Sequence, residues 1–307
     1  MELPEQHKTV MLAEAVEALV TRPEGVYIDG TFGRGGHSRA ILKCLANTGR
    51  LLGIDKDPRA VEEGCSLSAV DNRFTVYHGS FTELGSLPDI EKIDGILLDL
   101  GVSSPQLDNP KRGFSFLHDG PLDMRMNNTS GESASDWLAR AEEQEISRIL
   151  WEYGEERFSR HIARAIIQAR ESEPIITTKR LVDIITAACP KKEKHKHPAT
   201  RSFQAIRIHI NRELDDLEDC LDQAIELLKP GGRLVVISFH SLEDRIAKRF
   251  IRKHEKGDSL PSWLPVREDQ LNKRLKSLGK AIRASDEEVK NNPRARSAIM
   301  RVAEKLC

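Results

Sequence analysis

The sequence predicts an α/β fold, a mostly parallel sheet interrupted by a helical insertion. Two observations predict it. Short aliphatic or β-branched runs alternate with helical stretches through the first third of the chain, and that alternation then lapses before a strand pattern returns.

The first strand patterns are VYIDGTFG (26 to 33), RLLGIDKD (50 to 57), FTVYHGSF (74 to 81) and IDGILLDLG (93 to 101), each ending in glycine or polar residues. Between them lie the helical GHSRAILKCLA and PRAVEEGC, where Pro58 suits a first helical turn. Strands separated by helices imply parallel neighbours joined by right-handed crossovers. From Leu107 to about Arg212 the chain reads as a polar loop, DNPKRGFSFLHDGPLDMRMNNTSGES, followed by helices around 134 to 170 and 178 to 189. The amphipathic LDDLEDCLDQAIELLKPGG comes next, with Gly231 and Gly232 placed as a helix stop. GRLVVISFH (232 to 240) restores the strand pattern, and RSAIMRVAE (296 to 304) supplies a last strand, antiparallel at the edge. The expected organisation is a core in two parts, 1–106 and 213–307, around an inserted helical domain, 107–212.

Composition narrows the function classes. The 307 residues are 39% apolar and 31% charged, enough for a sizeable core. Lysine plus arginine (47) nearly balances aspartate plus glutamate (48), so a nucleic-acid partner must be met by local basic patches. The five cysteines, Cys44, Cys65, Cys189, Cys220 and Cys307, are scattered without a C-x-x-C pair and read as reduced cytosolic thiols. The start lacks an apolar signal core and no run is long enough to span a membrane, so a soluble cytoplasmic protein is expected.

The strongest local signal is the loop from Asp29 to His37, DGTFGRGGH, joining a strand to a helix. Glycines there let backbone N–H groups approach a ligand at the carboxyl edge of the sheet. The next strand ends in Asp55, placed to accept hydrogen bonds from the hydroxyls of an adenosine ribose. The spacing disfavours a dinucleotide, because Gly33-x-Gly35 is followed at the third position by Ser38, and no phosphate-binding G-x-x-x-x-G-K-[ST] occurs. The remaining common adenosine cofactor on such a sheet is S-adenosylmethionine. Phe81 and Asp99, at two further strand ends, converge on the same edge, Phe81 against an adenine and Asp99 into the cleft. Taken singly, Phe81 also fits a core position and Asp99 a helix cap.

Long segments then resemble one family, the bacterial ribosomal RNA small subunit methyltransferase H family. They are YIDGTFGRGGHS (27 to 38), DGILLDLGVSSPQLD (94 to 108), RGFSF (112 to 116), DGPLDMRM (119 to 126), YGEERF (153 to 158), HPATRSFQAIRI (197 to 208), GGRLVVISFHSLEDRI (231 to 246) and NPRARSA (292 to 298). The resemblance implies a class I S-adenosylmethionine-dependent methyltransferase, a Rossmann-like sheet with an inserted helical domain. It also implies methylation at N4 of a cytidine near the decoding centre of small-subunit ribosomal RNA. Carried over by motif, Gly35, Gly36, His37, Asp55, Phe81, Asp99 and Gln106 bind the cofactor, together with Gly33 of the same loop. Asn127 departs from the family, which usually has aspartate after DMRM, and the stretch from Lys256 to Lys290 matches more loosely.

An exocyclic cytosine amine is a poor nucleophile because its lone pair is delocalised into the ring, so catalysis means alignment plus a nearby acceptor. The [DN]-P-P-[YF] motif of DNA amine methyltransferases is replaced here by Asp99-Leu100-Gly101-Val102-Ser103-Ser104-Pro105. Asp99 is expected to orient donor and amine. In Ser238-Phe239-His240-Ser241-Leu242-Glu243-Asp244 the pair Ser241 and Asp244 fits a capping box, while Phe239 and His240 are candidates for substrate contact. A flipped base can stack on Phe239 or Phe114, although either also fits the core.

Candidate phosphate contacts are Lys191, Lys192, Lys194, Lys196 and Arg201, and Arg245, Lys248, Arg249, Arg252 and Lys253 on the helix after SFHSLED. His195-x-His197 lacks further ligands at useful spacing, so no required metal is expected. The expected partner is small-subunit ribosomal RNA or the assembled small subunit, without a membrane, and the chain reads equally as monomer or homodimer. An oxidoreductase and a non-catalytic RNA-binding factor are the competing classes. The glycine spacing opposes the first, and the set Gly33, Gly35, Asp55 and Asp99 opposes the second.

Overall fold

The computed structural model describes residues 8–88, 90–189, 197–258 and 271–306. The chain divides into two compact units, one holding the residues up to Gly101 and from Leu214 on, the other Val102–Glu213. The first boundary falls at Gly101, which places Gln106 in the second unit.

The first unit is a layered α/β sheet. Helix α1 (Leu12–Leu19) precedes β1 (Val26–Asp29), α2 (Gly36–Cys44), β2 (Arg50–Asp55), α3 (Pro58–Ser68), β3 (Phe74–His78) and β4 (Ile93–Asp99). The second unit carries α4 (Ser104–Asp108), α5 (Ala134–Arg140), α6 (Glu143–Gly154), α7 (Ser159–Ser172), α8 (Thr178–Ala188) and α9 (Ala199–Asn211). The first unit resumes along α10 (Glu213–Leu227), then β5 (Leu228–Ser238), α11 (Ser241–Lys256), β6 (Leu275–Ser277), β7 (Ile282–Arg283), α12 (Asp286–Asn291) and β8 (Ile299–Lys305).

The strand order is β3-β2-β1-β4-β5-β8-β6, with β7 also pairing β8. The pairs from β3 through to β5 are parallel, and β8 runs antiparallel to its neighbours. The last strand is therefore inside the sheet between β5 and β6, not at its edge as the sequence predicts. Sequence patterning missed β6 and β7 because three- and two-residue strands carry too few alternations to register.

Period two divides the core. Tyr27, Leu51, Leu97 and Val235 face one side with Leu19 and Ile41. Ile28, Leu52, Ile96, Leu98 and Val236 face the other, with Leu217, Leu221 and Ile251 of α10 and α11. Both faces are apolar because helices cover both, as a parallel sheet requires.

Gly231 and Gly232 do not stop α10. That helix ends at Leu227, ahead of Pro230, and the glycines sit within β5, where the register jumps from Ile93↔Leu228 to Gly95↔Arg233. Gly231 takes φ +80° there, so these residues form a bulge that re-enters the sheet.

The second unit has its own core around Trp137, Ile149, Ile162, Leu181 and Ile206. The polar stretch before α5 is tightly held. Arg112, only 4% exposed, donates to the carbonyls of Arg125 and Met126, and the Asn211 amide donates to Met124 O and accepts from Met126 N, both at 2.7 Å. Arg125 pairs with Asp123 through two hydrogen bonds, and buried Met124 is held at φ +62°.

Candidate active site

The loop after β1 is stitched to both neighbouring strands. Gly30 N donates to Leu97 O on β4, and Phe32 N to Ile54 O on β2. Asp29, 1% exposed, accepts from Ser38 Oγ at 2.6 Å and from Thr31 N at 3.2 Å. The Thr31 hydroxyl in turn accepts from Asp99 N at 2.6 Å. Each contact joins residues that a parallel βαβ unit brings to one edge of the sheet.

The glycines have separate reasons. Gly33 and Gly35 take φ +55° and +68°, the left-handed region that favours glycine. Gly33 N donates to Asp55 Oδ2 at 2.7 Å, and Gly35 precedes the first residue of α2. Gly36 is needed for packing, since a Cβ there would lie 1.9 Å from Thr9 Oγ1. Thr9 belongs to the segment before α1, where Met11 N donates to Glu288 Oε1 and Asn292 Nδ2 to Lys8 O. The loop therefore rests on a strap fixed by α12 and the residue after it, an arrangement the sequence does not announce.

Asp55 also accepts from Asp57 N at 2.8 Å, so a backbone amide orients each of its oxygens. Burial pushes Asp29 and Asp55 up to about 6, with mutual charge adding to Asp29. Asp99 is raised well above the usual carboxylate range, first by burial and then by the charges of Asp29 and Glu243. Its Oδ1 is buried with no hydrogen-bond partner. His37 Nδ1 lies 3.6 Å from Asp99 Oδ2, but burial lowers His37 to about 4, so at neutral pH it is an uncharged imidazole. Among the described residues, no lysine or arginine pairs with Asp29, Asp55 or Asp99. Three crowded carboxyls without a fixed cation suit a ligand bringing positive charge and hydroxyl donors.

The other predicted residues divide. Phe81 is half-buried against the second core face, with Lys56 Nζ 5.8 Å from its ring centre, and Lys56 is ion-paired to Asp216. Gln106 Oε1 accepts from Ser103 N, closing the first turn of α4 within the second unit. Phe239 and His240 follow β5. Their amides donate to Glu243 Oε2, and His240 Nε2 lies 3.1 Å from Glu243 Oε1. The cap of α11 is thus His240 with Glu243, not Ser241 with Asp244. Asp244 instead binds Arg301 through both oxygens.

Phe114 is core, 6% exposed in the second unit. Arg201, on α9, donates to Glu155 O beyond the end of α6. Lys191, Lys192, Lys194, Lys196 and His195 lie outside the described residues. Sequence reading passed over Asp29, Ser38 and Glu243, although Asp29 carries the same strand-end signal as Asp55 and Asp99.

A parallel sheet in this order, with one antiparallel strand slipped in beside its last parallel one and acids at its carboxyl edge, is the class I methyltransferase fold. The family comparison gives the particular enzyme group: a family model described as the MraW methylase family matches residues 4–306, and the chain belongs to that family. It is 59% identical over 306 residues to the ribosomal RNA small subunit methyltransferase H of Chromohalobacter salexigens, covering 98% of this chain and 92% of the relative.

Among solved structures, an rRNA methylase from Streptococcus thermophilus overlaps 95% of this chain and 92% of its own at TM-score 0.44 and 9% identity. Fibrillarin from Aeropyrum pernix, with natively bound S-adenosyl-L-methionine, overlaps 95% of this chain and 73% of its own at TM-score 0.41 and 9% identity. Both likenesses are loose, and the fold follows from the strand order. No helix among the described residues is long and apolar enough to cross a membrane.

Proposed function

We propose that this enzyme transfers the methyl group of S-adenosylmethionine to the exocyclic N4 of a cytidine near the decoding centre of small-subunit ribosomal RNA, in the cytoplasm. The observation that carries the reading is the trio Asp29, Asp55 and Asp99 around the glycine loop, the first buried and the other two half-buried, with no fixed cation paired to them among the described residues. The donor supplies a sulfonium and an ammonium to offset that charge, and ribose hydroxyls for Asp55. Family membership supports methyl transfer, and the 59% identical relative is named for ribosomal RNA of the small subunit.

The chain's own part in the reaction is alignment and electrostatics. Asp55, its oxygens oriented by Gly33 N and Asp57 N, holds the nucleoside end. Asp99, at the end of β4, offers a buried acceptor, Oδ1, to an N–H of the incoming amine, which localises the lone pair for in-line attack. A bound cation lowers the pKa of Asp99 and favours the carboxylate form that accepts this bond. His37, uncharged, keeps the cleft from gaining a competing fixed positive charge. Glu243 ties the backbone of Phe239 and His240, the two candidates for contact with the base.

The test is methyl transfer from labelled S-adenosylmethionine to purified small subunits lacking the modification, beside naked RNA and an Asp99→Ala control, with digested nucleosides identified by mass spectrometry. The expected product is N4-methylcytidine on subunits, lost in the variant. Asp99→Ala with cofactor affinity and turnover both near wild type would remove Asp99 from the mechanism. Transfer to no RNA despite cofactor binding would move the acceptor elsewhere.

A further inference from the structure

Within the first unit, α11, the segment from β6 to β7 and β8 enclose a surface cleft of about 290 Å³ lined by Lys248, Arg252, Glu255, Ser277, Lys280 and Arg301 among others. It draws cations from three places in the sequence: Lys248 and Arg252, one helical turn apart on α11; Lys280 in the turn between β6 and β7; and Arg301 in the middle of β8. Among the described residues the lining holds one acid, Glu255, and its Oε1 already accepts from Ser277 N. Arg301 is pinned by two hydrogen bonds to Asp244, which fixes the plane of its guanidinium. Lys248, Arg252 and Lys280 are exposed, and among the described residues no carboxylate pairs with them.

A solvated face in this chain would mix signs, because its total charge is balanced at 47 basic against 48 acidic residues. The stretch from Arg245 to Lys256 instead holds Arg245, Lys248, Arg249, Arg252, Lys253 and Lys256 against Glu255 alone. Like charges one turn apart repel unless a counter-charge is brought to them. Arg249 and Lys253 lie on the same helix as Lys248 and Arg252, a spread of cations that suits a chain of anions better than one small anion.

The α11 helix starts beside the strand end that carries Phe239 and His240, and at 1.5 Å per residue Lys248 and Arg252 lie roughly 10 to 17 Å along it. The cleft therefore lies away from Phe239 and His240 along the same helix that their strand end leads into.

We propose that this cleft is a phosphodiester clamp that grips the backbone of the substrate RNA away from the target nucleotide. The proposal rests on RNA being the methyl acceptor. Phosphate contacts of this kind supply affinity and register without reading sequence.

The test uses the full-length protein and a triple variant, Lys248→Gln, Arg252→Gln and Lys280→Gln, in which Arg301 keeps its Asp244 partner and a matched thermal melt reports folding. A fluorescein-labelled RNA hairpin is titrated at several salt concentrations, and KM for small subunits is measured in parallel. The variant is expected to bind the hairpin more weakly by about two orders of magnitude near 0.1 M salt, with the slope of log K against log salt shallower by about two to three, since each duplex phosphate contributes about 0.9. KM for subunits should rise by a similar factor while the Kd for S-adenosylmethionine, read by calorimetry, stays at the wild-type value.

An unchanged salt slope and hairpin affinity would overturn the clamp, whatever the turnover. Binding of inorganic phosphate or of polyglutamate that the variant loses, with hairpin binding intact, would also overturn it and assign the cleft to a small anion or an acidic polypeptide. Wild-type protein that binds the hairpin with a slope the variant flattens, yet methylates no RNA, would refute the proposed function and the clamp's role on a substrate, leaving the cleft an RNA-backbone site only.

Discussion

Replacing Gly36 by alanine tests whether that glycine serves the ligand or the strap beneath the loop. A Cβ at this position would meet Thr9 Oγ1 at 1.9 Å, Thr9 Cβ at 3.0 Å and Thr9 Cγ2 at 3.3 Å. Rotating the threonine relieves the first contact. That rotation moves Cγ2 as well, but the contact to Thr9 Cβ at 3.0 Å stays tighter than ordinary packing, so the strap must yield by tenths of an ångström, which places the substitution toward the lower part of the overpacking range, about 1–2 kcal/mol. Against this, alanine favours helix over glycine by up to about 1 kcal/mol, and less in a first turn.

The expected net result is a modest loss in thermal stability, with weaker S-adenosylmethionine binding because the strap supports the loop that carries Gly33 and Gly35. Thr9→Ala removes Oγ1 and Cγ2, so in that background Gly36→Ala should be close to neutral. The double-mutant cycle should show a coupling of about 1 kcal/mol in melting and in calorimetric cofactor affinity. Equal losses of cofactor affinity with and without Thr9 would refute the packing argument and return Gly36 to direct ligand contact.

The remaining predictions concern other parts of the molecule. Asp29 and Asp55 have folded pKa values raised to about 6 against an ordinary 3.8, so the folded state binds more protons and stability falls as pH rises from about 4 through 6. The loss is roughly 3 kcal/mol at most for Asp29. The gain in melting temperature on adding S-adenosylmethionine should accordingly be larger at pH 8 than at pH 5, and an equal gain at both would contradict it. Asn211→Ala strips both partners from the Met124 and Met126 backbone groups and should cost about 2–4 kcal/mol, read as a lower melting temperature and faster proteolysis near residues 124 to 131. Glu243→Ala frees the amides of Phe239 and His240 and should cost about 1–2 kcal/mol of stability, whereas Glu243→Gln, which keeps an acceptor, should lose less.

Much of this molecule is written in local pattern. The alternation of Tyr27 with Ile28 and of Leu97 with Leu98 needs only the two-residue period of a strand to divide the core, and the acids at the ends of β2 and β4, Asp55 and Asp99, needed only the strand ends to be found. Gly33 and Gly35 were legible for the same reason, since a strand-to-helix turn is a short-range object. The short β6 and β7 were not, because their existence depends on β8 lying beside them.

What the tertiary structure alone decided are matters of long sequence separation. Met11 meets Glu288 across 277 positions, and nothing local in either residue announces that contact. Burial raises the pKa values of Asp29, Asp55 and Asp99, and the charge of Asp55 on Asp29 and of Asp29 on Asp99 adds to it, only because parallel strands bring distant carboxyls to one edge of the sheet. Phe114 carries the same side chain whether it meets a base or a core, and its 6% exposure assigns it to the core. The cleft that joins Lys248 to Lys280 and Arg301 exists because β8 enters the sheet beside β5 and turns a basic helix face into a concave one. Local sequence sets conformational preference and chemistry residue by residue, but which charges share a desolvated space is fixed only when the chain closes on itself.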